Sequence, residues 1–252
     1  MEETANKQFV ELERTHFWFV GRRRIFFHLL DRELSGRSGL RVLDVGCGAG
    51  GMLEPLARYG TVMGIDSQPE LVEFCHQRGF PNVAVGTAYE LPAESGSIDL
   101  VTLFDTIEHV PDDLRALREC RRVLAPDGRL FISTPAYQFL YANNDRVAHH
   151  ERRYTARGLR AKLAAAGLEP VTLTYFNTLL FPAILPAVLV KKAIERVSDP
   201  GDRTNLSHPV RPALNRALGT IMSSERHLLA RASMPFGHSL IAIARPANLP
   251  RR

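Results

Sequence analysis

Near its start the chain runs Val42-Leu43-Asp44-Val45-Gly46-Cys47-Gly48-Ala49-Gly50: an apolar stretch, an acid close to its end, then alternating glycines. Bare glycines adopt positive φ and let a backbone approach a ligand. A helix behind them, expected over about 51 to 59, would present free N–H groups to an anionic moiety. Dinucleotide enzymes use the same device, but Asp44 stands two residues before Gly46, where it would repel a pyrophosphate and suit a ligand bearing an ammonium group. No Gly-Lys-Ser/Thr ending follows, which argues against a phosphate-cradling loop.

A second apolar run, Val62-Met63-Gly64-Ile65-Asp66, ends in an acid twenty residues beyond Gly46. That spacing places a carboxylate where it can accept both hydroxyls of a ribose, in a nucleotide or in any adenosyl compound. Ser67-Gln68-Pro69-Glu70 reads as a capping box with proline in the first turn, so a helix starts directly behind Asp66. Either acid alone is better explained as a helix cap. Their joint spacing favours one cofactor site.

These blocks resemble the class I S-adenosylmethionine-dependent methyltransferases, in the ubiquinone- and menaquinone-biosynthesis-like small-molecule branch. The resemblance extends over about residues 9 to 175. It includes Gly86-Thr87-Ala88-Tyr89-Glu90-Leu91-Pro92, Ser97-Ile98-Asp99-Leu100-Val101, Phe104-Asp105-Thr106-Ile107-Glu108-His109-Val110 and Arg122-Val123-Leu124-Ala125-Pro126-Asp127-Gly128-Arg129-Leu130. An N-terminal stretch, His16-Phe17-Trp18-Phe19 to Arg22-Arg23-Arg24, is similar to one ahead of the core in related bacterial methyltransferases. The resemblance implies S-adenosylmethionine as cofactor, lined by Trp18, Arg23, Asp44, Gly46, Cys47, Gly48, Gly50, Asp66, Ser67, Thr87, Ala88, Phe104, Asp105 and His109. Where the family often has an acid for the adenine amino group, this chain has Thr87, leaving its hydroxyl or a neighbouring backbone group for that role. Cys47 reads as a small filler of the glycine loop rather than a nucleophile.

The chemistry that this cofactor implies is in-line attack on a sulfonium methyl. The leaving group is already activated, so the protein must position the nucleophile, exclude water and remove a proton if the acceptor is a hydroxyl. The loop after the fifth strand offers Tyr137, Tyr141, Asn143, Asn144, Asp145, His149, His150, Glu151 and Tyr154. Histidine suits a base because its unperturbed pKa lies near neutrality. His150 and His149 are the candidates, with His109 as a third. The bland reading of His149-His150-Glu151-Arg152-Arg153 is a solvated turn or an ion-paired brace, and that of His109 is packing on the cofactor loop. No metal site is expected, because adjacent residues diverge and no second pair stands at zinc spacing.

Alternating elements must position these groups. Strands are expected near 40–45, 61–65, 82–85, 98–104, 129–134, 170–176 and 238–244, with helices between them. The helices include one opened by Pro111-Asp112-Asp113 and ended by a turn at Ala125-Pro126-Asp127-Gly128, and another bracketed by Thr155 and Gly167 with Leu159 and Leu163 on its buried face. This pattern implies an α/β fold, a Rossmann-like mostly parallel sheet with helices on both faces and every ligand loop at its carboxyl edge. The family resemblance adds a seventh strand, antiparallel beside the sixth. The expected organisation is an N-terminal helical segment, 1–34, contributing to the pocket; a methyltransferase core, 35–176 and 237–246; and a mostly helical insertion, 177–236.

The insertion is longer than the fold needs, and such segments are functional or carry secondary structure of their own. Phe176 to Val190 is almost continuously apolar, broken by Pro182 and Pro186 and followed by Lys191, Lys192 and Arg196. A helical lid over the acceptor pocket is the first reading, and an interfacial segment that meets a lipid surface is the second. Residues 199–208 read as a loop. Arg211 to Met234 reads as a helix with Leu214, Leu218, Ile221, Leu228 and Leu229 as its apolar positions.

With 252 residues, 45% hydrophobic and 23% charged, the chain can bury one large core. Three cysteines without metal spacing, and an N-terminus without a signal peptide's basic and apolar regions, lead to an expectation of reduced thiols and a cytoplasmic location, with peripheral contact at the inner face of a membrane open to the insertion. A net charge of +5 and a pI near 9.4 raise RNA methylation as a rival. The charges are scattered, no RNA-binding module is attached, and Phe104-Asp105-Thr106-Ile107 replaces an Asn/Asp-Pro-Pro-Tyr base pocket. A noncatalytic adenosylmethionine-binding protein is the other rival. Small-molecule transfer, at oxygen and to a bulky or partly apolar acceptor such as a lipid-linked compound or a secondary metabolite, leads. No protein partner is indicated.

Overall fold

The computed structural model describes residues 10–195, 197 and 210–247. Arg196, the 199–208 loop and both chain ends, on which some sequence expectations fall, lie outside that set. Seven strands form one sheet: β1 (Leu40–Val45), β2 (Gly60–Asp66), β3 (Val83–Val85), β4 (Ile98–Phe104), β5 (Leu124–Pro135), β6 (Leu168–Phe176) and β7 (Ser239–Pro246). Their order is β3-β2-β1-β4-β5-β7-β6, and β7 runs antiparallel to both of its neighbours while the remaining pairs are parallel. The fold is therefore the Rossmann-like one expected, with β1, β2, β4, β5 and β6 delivering their carboxyl ends to one edge.

The helices are α1 (Phe17–Glu33), α2 (Leu53–Leu56), α3 (Pro69–Gln77), α4 (Asp113–Val123), α5 (Asn143–Val147), α6 (Ala156–Ala165), α7 (Phe181–Ile194) and α8 (Pro212–Leu229). Two boundaries differ from the sequence reading. The helix behind the glycine loop shrinks to one turn, because Pro55 lacks an N–H and Gly60, at φ 158°, turns the chain into β2. The 125–128 segment belongs to the start of β5: α4 ends at Val123, Leu124 is already extended, and the register against β4 shifts between Ile98 and Leu100 to absorb the irregularity. At the other end Asp112 accepts the Arg115 amide and caps α4, leaving Pro111 just outside.

Alternation along the strands divides the core into two layers. Leu43, Val45, Val101, Leu103, Leu130 and Ile132 face α4 and α6, where Leu117, Leu159 and Leu163 are fully buried. Val42, Leu100, Phe131, Ile241 and Ile243 face the opposite way, onto α1 and α8. There Phe26 stacks on Phe104 at 5.5 Å between ring centroids and meets Phe131 at 5.3 Å and Phe176 at 5.4 Å.

The insertion contributes to this second layer: Leu180, Met222 and Leu229 are buried in it, and Met222 packs on Gly21 of α1. On α8 the apolar positions divide. Leu229 is buried and Leu218 half-buried, whereas Leu214, Ile221 and Leu228 are exposed. Among the described residues no helix is long and apolar enough to cross a membrane.

Phe26→Ala removes an aromatic side chain with no solvent exposure from the contact that seats α1. Denaturant unfolding should show a loss of about 3–5 kcal/mol.

Candidate active site

The glycine loop leaves β1 with Gly46, Gly48 and Gly50 at φ 74°, 55° and 80°. At Gly46 a Cβ would stand 2.4 Å from a Thr106 methyl, so position 46 is glycine on two counts. The Gly48 N–H donates to Oδ2 of Asp66 at 2.8 Å and the Gln68 N–H to Oδ1 at 3.0 Å. The carboxylate at the tip of β2 is thus oriented by backbone donors and keeps lone pairs for a diol. Asp44 is 2% exposed, accepts the Thr102 hydroxyl at 2.7 Å and has no ion-pair partner among the described residues. Burial pushes its carboxyl up to about 7 against the Thr102 bond, and the charges of Asp66 and Glu13 add to the rise. A buried acid with one hydroxyl partner fits a ligand ammonium, as the spacing implied.

Helix α1 closes this edge from above. Arg22 forms an ion pair with Asp105 and lies 4.7 Å from the centre of the Phe19 ring; Asp105, itself at φ 51°, also accepts the Ser133 hydroxyl at 2.7 Å. The sequence reading named Arg23. In the structure Arg23 donates to the Glu13 carbonyl at 3.4 Å and lines a cavity of about 490 Å³ beside Gly50 and Gly51, together with Arg14, Arg58 and Arg78. The role of Arg22 could have been read from helical phase: it stands three residues after Phe19 and four before Phe26, on the face those two bury. Trp18 meets His238 edge-on at 5.5 Å.

Three further expected lining residues stand apart from buried polar contacts. Ser67 and Thr87 are exposed, with Thr87 accepting the Tyr89 amide at 3.3 Å, and Ala88 is half-buried. Phe104 is half-buried and packed on Phe26, and Cys47 is buried behind the loop.

The loop after β5 separates the two adjacent histidines. His149, at φ 56°, is exposed, and its backbone carbonyl bonds the His109 ring. His150 turns inward, and its Nδ1 lies 2.9 Å from Oδ1 of Asp145. Asp145 has no solvent exposure and also receives Arg153 at 2.7 and 3.0 Å and the Ala142 amide at 2.9 Å. Bonds from His150 and Arg153 outweigh burial and hold its carboxyl down to about 2. Because an ionised carboxylate only accepts, Nδ1 of His150 carries the proton and Nε2 presents a lone pair. The ion-paired brace foreseen for this segment is therefore present, and it holds the histidine.

His109, exposed at its rim, lies edge-to-face with His150 at 4.6 Å; desolvation of its ring, then the neighbouring His150, push it down to about 4. Beside them Glu108 is fully buried, accepts the Thr134 hydroxyl at 3.0 Å and leaves its other oxygen without a partner; burial pushes it up to about 8. Glu108, His109 and His150 each bring one ligand atom within 4.8 Å of the others, a donor set that one divalent cation could bridge. Sequence spacing did not show this trio, because His150 reaches it across forty residues.

Two measurements follow from the acids. The ribose role expected of Asp66 predicts that Asp66→Ala binds adenosylhomocysteine about 1.5–3 kcal/mol more weakly by calorimetry. Asp44 must be ionised to pair with an ammonium, so affinity should fall as pH drops below about 7. In the ligand-free protein its raised pKa works oppositely on stability, which is greatest at low pH and is lost as pH rises towards 7. Asp44→Asn should therefore unfold at higher temperature than the parent at pH 8, with the difference vanishing near pH 4, while binding the cofactor more weakly.

Comparison with known proteins agrees with this geometry. Residues 43–132 match the family described as "Methyltransferase domain". A ubiquinone biosynthesis O-methyltransferase of Xanthomonas oryzae pv. oryzae is 44% identical over 104 residues, which is 38% of this chain and 44% of that protein. The match thus spans less than half the length of that relative. Among solved structures, a SAM-dependent methyltransferase from Archaeoglobus fulgidus has a TM-score of 0.59 at 19% identity, covering 94% of this chain and 99% of the other. The [4+2]-cyclase SpnF has a TM-score of 0.56 at 22% identity, covering 90% and 81%. Both share the fold, and SpnF shows that the fold hosts other chemistry. Residues 43–132 thus carry a methyltransferase domain, and the order of its motifs and the sheet topology are similar to those of class I S-adenosylmethionine-dependent methyltransferases, with ubiquinone-biosynthesis O-methyltransferases among the relatives of this stretch.

Proposed function

We propose that the chain methylates a hydroxyl of a small, bulky or partly apolar acceptor, with His150 as the group that removes the acceptor's proton. The observation that carries this reading is the Asp145–His150 pair, which leaves an imidazole lone pair at the carboxyl edge beside the cofactor loops. When bound, S-adenosylmethionine supplies a methyl group already activated on a sulfonium. The protein's tasks are then positional. Asp44 and Asp66 fix the two ends of the cofactor, Nε2 of His150 accepts the proton as the acceptor oxygen becomes nucleophilic, and Asp145 stabilises the resulting imidazolium.

The apolar character of the acceptor is supported by an aromatic cluster at the same edge. Tyr137, at φ 63°, stacks on Tyr175 at 5.1 Å and lies 5.4 Å from Phe139 and 6.0 Å from Phe181. Phe139 and Phe236 are 54% and 43% exposed, open surface for an apolar acceptor to cover. We read α7 as the lid. Lys191 reaches Asn144, Lys192 reaches the Phe139 carbonyl and Glu195 accepts from Asn143 and Arg146, so its last turn is stitched to the loop that carries the histidine. The outward side chains Leu189, Val190 and Ile194 support a peripheral lipid contact by the same helix.

His150→Ala should lower the turnover of methyl-labelled adenosylmethionine on a hydroxyl acceptor by about a hundredfold or more while adenosylhomocysteine affinity stays within twofold or so. Near-parental turnover in the variant would move the role to His109. Sedimentation at low salt should recover the chain with anionic vesicles and less with neutral ones; equal absence from both pellets would leave α7 as a lid alone.

A further inference from the structure

Behind the glycine loop two thiols converge on one carbonyl. Cys47 belongs to the loop itself, and Cys75 lies in the last turns of α3. Both thiols point at the Gly48 carbonyl oxygen, the Cys47 sulfur at 3.9 Å and the Cys75 sulfur at 3.3 Å. Both are nearly sealed from solvent, Cys47 at 7% exposure and Cys75 at 0%, in a small cluster with Leu53, Val72 and Val83. Two glycines leave room for them: a Cβ at Gly64 would stand 2.9 Å from the Cys47 sulfur, and one at Gly50 would stand 3.1 Å from that of Cys75. The third cysteine, Cys120, is fully buried in the opposite core layer.

We propose that Cys47 and Cys75 form a reversible disulfide on exposure to hydrogen peroxide and that this oxidation weakens cofactor binding. The proposal rests on the cofactor site described above, and its chemistry belongs to the chain alone. The neighbouring Cys47 thiol and the charge of Arg78 lower the Cys75 thiol against its burial, which makes Cys75 the attacking sulfur of the pair. Its sulfur attacks one peroxide oxygen and the O–O bond breaks; the departing hydroxide takes up the proton given up by the Cys75 thiol and leaves as water, and Cys75 becomes a sulfenic acid. The Cys47 sulfur then attacks that sulfur, the S–S bond forms, and hydroxide leaves with the Cys47 proton as a second water. Two thiols are oxidised and one peroxide is reduced to two waters.

The consequence for the site follows from distance. A disulfide holds its sulfurs at about 2.05 Å, far inside the contact distance of two thiols, so closing it draws Cys47 toward α3. The next residue, Gly48, gives its N–H to Asp66 at 2.8 Å, and that bond orients the ribose carboxylate. Oxidation therefore displaces the donor on which Asp66 depends. By linkage a ligand that holds the loop in its reduced arrangement opposes oxidation to the same extent.

The full chain without added ligand, treated with hydrogen peroxide, should lose two hydrogens in intact mass and yield a Cys47–Cys75 cross-linked peptide on non-reducing digestion. Calorimetry should then show adenosylhomocysteine bound at least about tenfold more weakly, with dithiothreitol restoring the affinity. Prior addition of adenosylhomocysteine should slow the cross-link. Cys75→Ala should abolish the cross-link and the reversible loss, and Cys120→Ala should keep both. Oxidation confined to sulfinic acids, a cross-link through Cys120, or a Cys47–Cys75 bond with unchanged affinity would each overturn the proposal. A reduced parent that fails to bind adenosylhomocysteine would instead refute the cofactor assignment, since the cross-link is read without it.

Discussion

The site is organised around a buried acid that the protein does not neutralise. Asp44 has one hydroxyl for a partner, and Asp66 and Glu13 are close enough to raise its pKa further. Burying a carboxyl without a countercharge costs stability, and the group answers by holding its proton to about neutral pH. Such an arrangement persists where a ligand's positive charge completes it. The same electrostatics that make the empty site unfavourable thereby concentrate binding energy on a cationic ligand. Glu108, pushed up to about 8 with one oxygen unpartnered, repeats the arrangement on the acceptor side, next to His109 and His150.

Helix α1 meets the same sheet edge at the end of β4. Its phenylalanine face anchors the helix on β4, β5 and β6, and the same face carries Arg22 onto Asp105. Arg22 is the cation closest to being spent inside the site, but it is committed to the end of β4 and leaves Asp44 unpaired. Packing and charge thus act through one helical face.

Strand positions and cofactor loops were legible in the sequence because both are local. Alternation marks each strand, and Asp44, the glycines and Asp66 stand at distances set by one strand–helix–strand unit. What stayed hidden depends on chain segments far apart. Thr102 reaches Asp44 across β4, and Ser133 and Arg22 meet at Asp105 from β5 and α1. The apolar positions of α8 show the same limit in another form. Leu214, Ile221 and Leu228 repeat every seven residues and read as a core face, yet Gly219, Met222, Ser223, Glu225 and Leu229 are the ones buried. The close approach of α1, where Met222 fills the space above Gly21, decides which face turns inward.

The acceptor side shows how a brace and a reactive group can be one structure. Asp145 draws in Arg153, His150 and the Ala142 amide, so that a fully ionised carboxylate survives without exposure. Each of those bonds ties a different part of the loop: the turn after β5, the start of α5 and the return toward α6. The segment is then pinned from outside, by Tyr141 on the His150 carbonyl, by the Glu151 amide on the Glu108 carbonyl and by Lys191 and Glu195 of α7 on α5. An imidazole held by so many constraints loses little entropy when it must point at one atom, which is the condition for an oriented base. The bonds from Lys191 to Asn144 and from the Asn143 amide to Glu195 also tie α7 to the residues beside Asp145, so on the lid reading proposed above the position of α7 and the orientation of His150 are coupled.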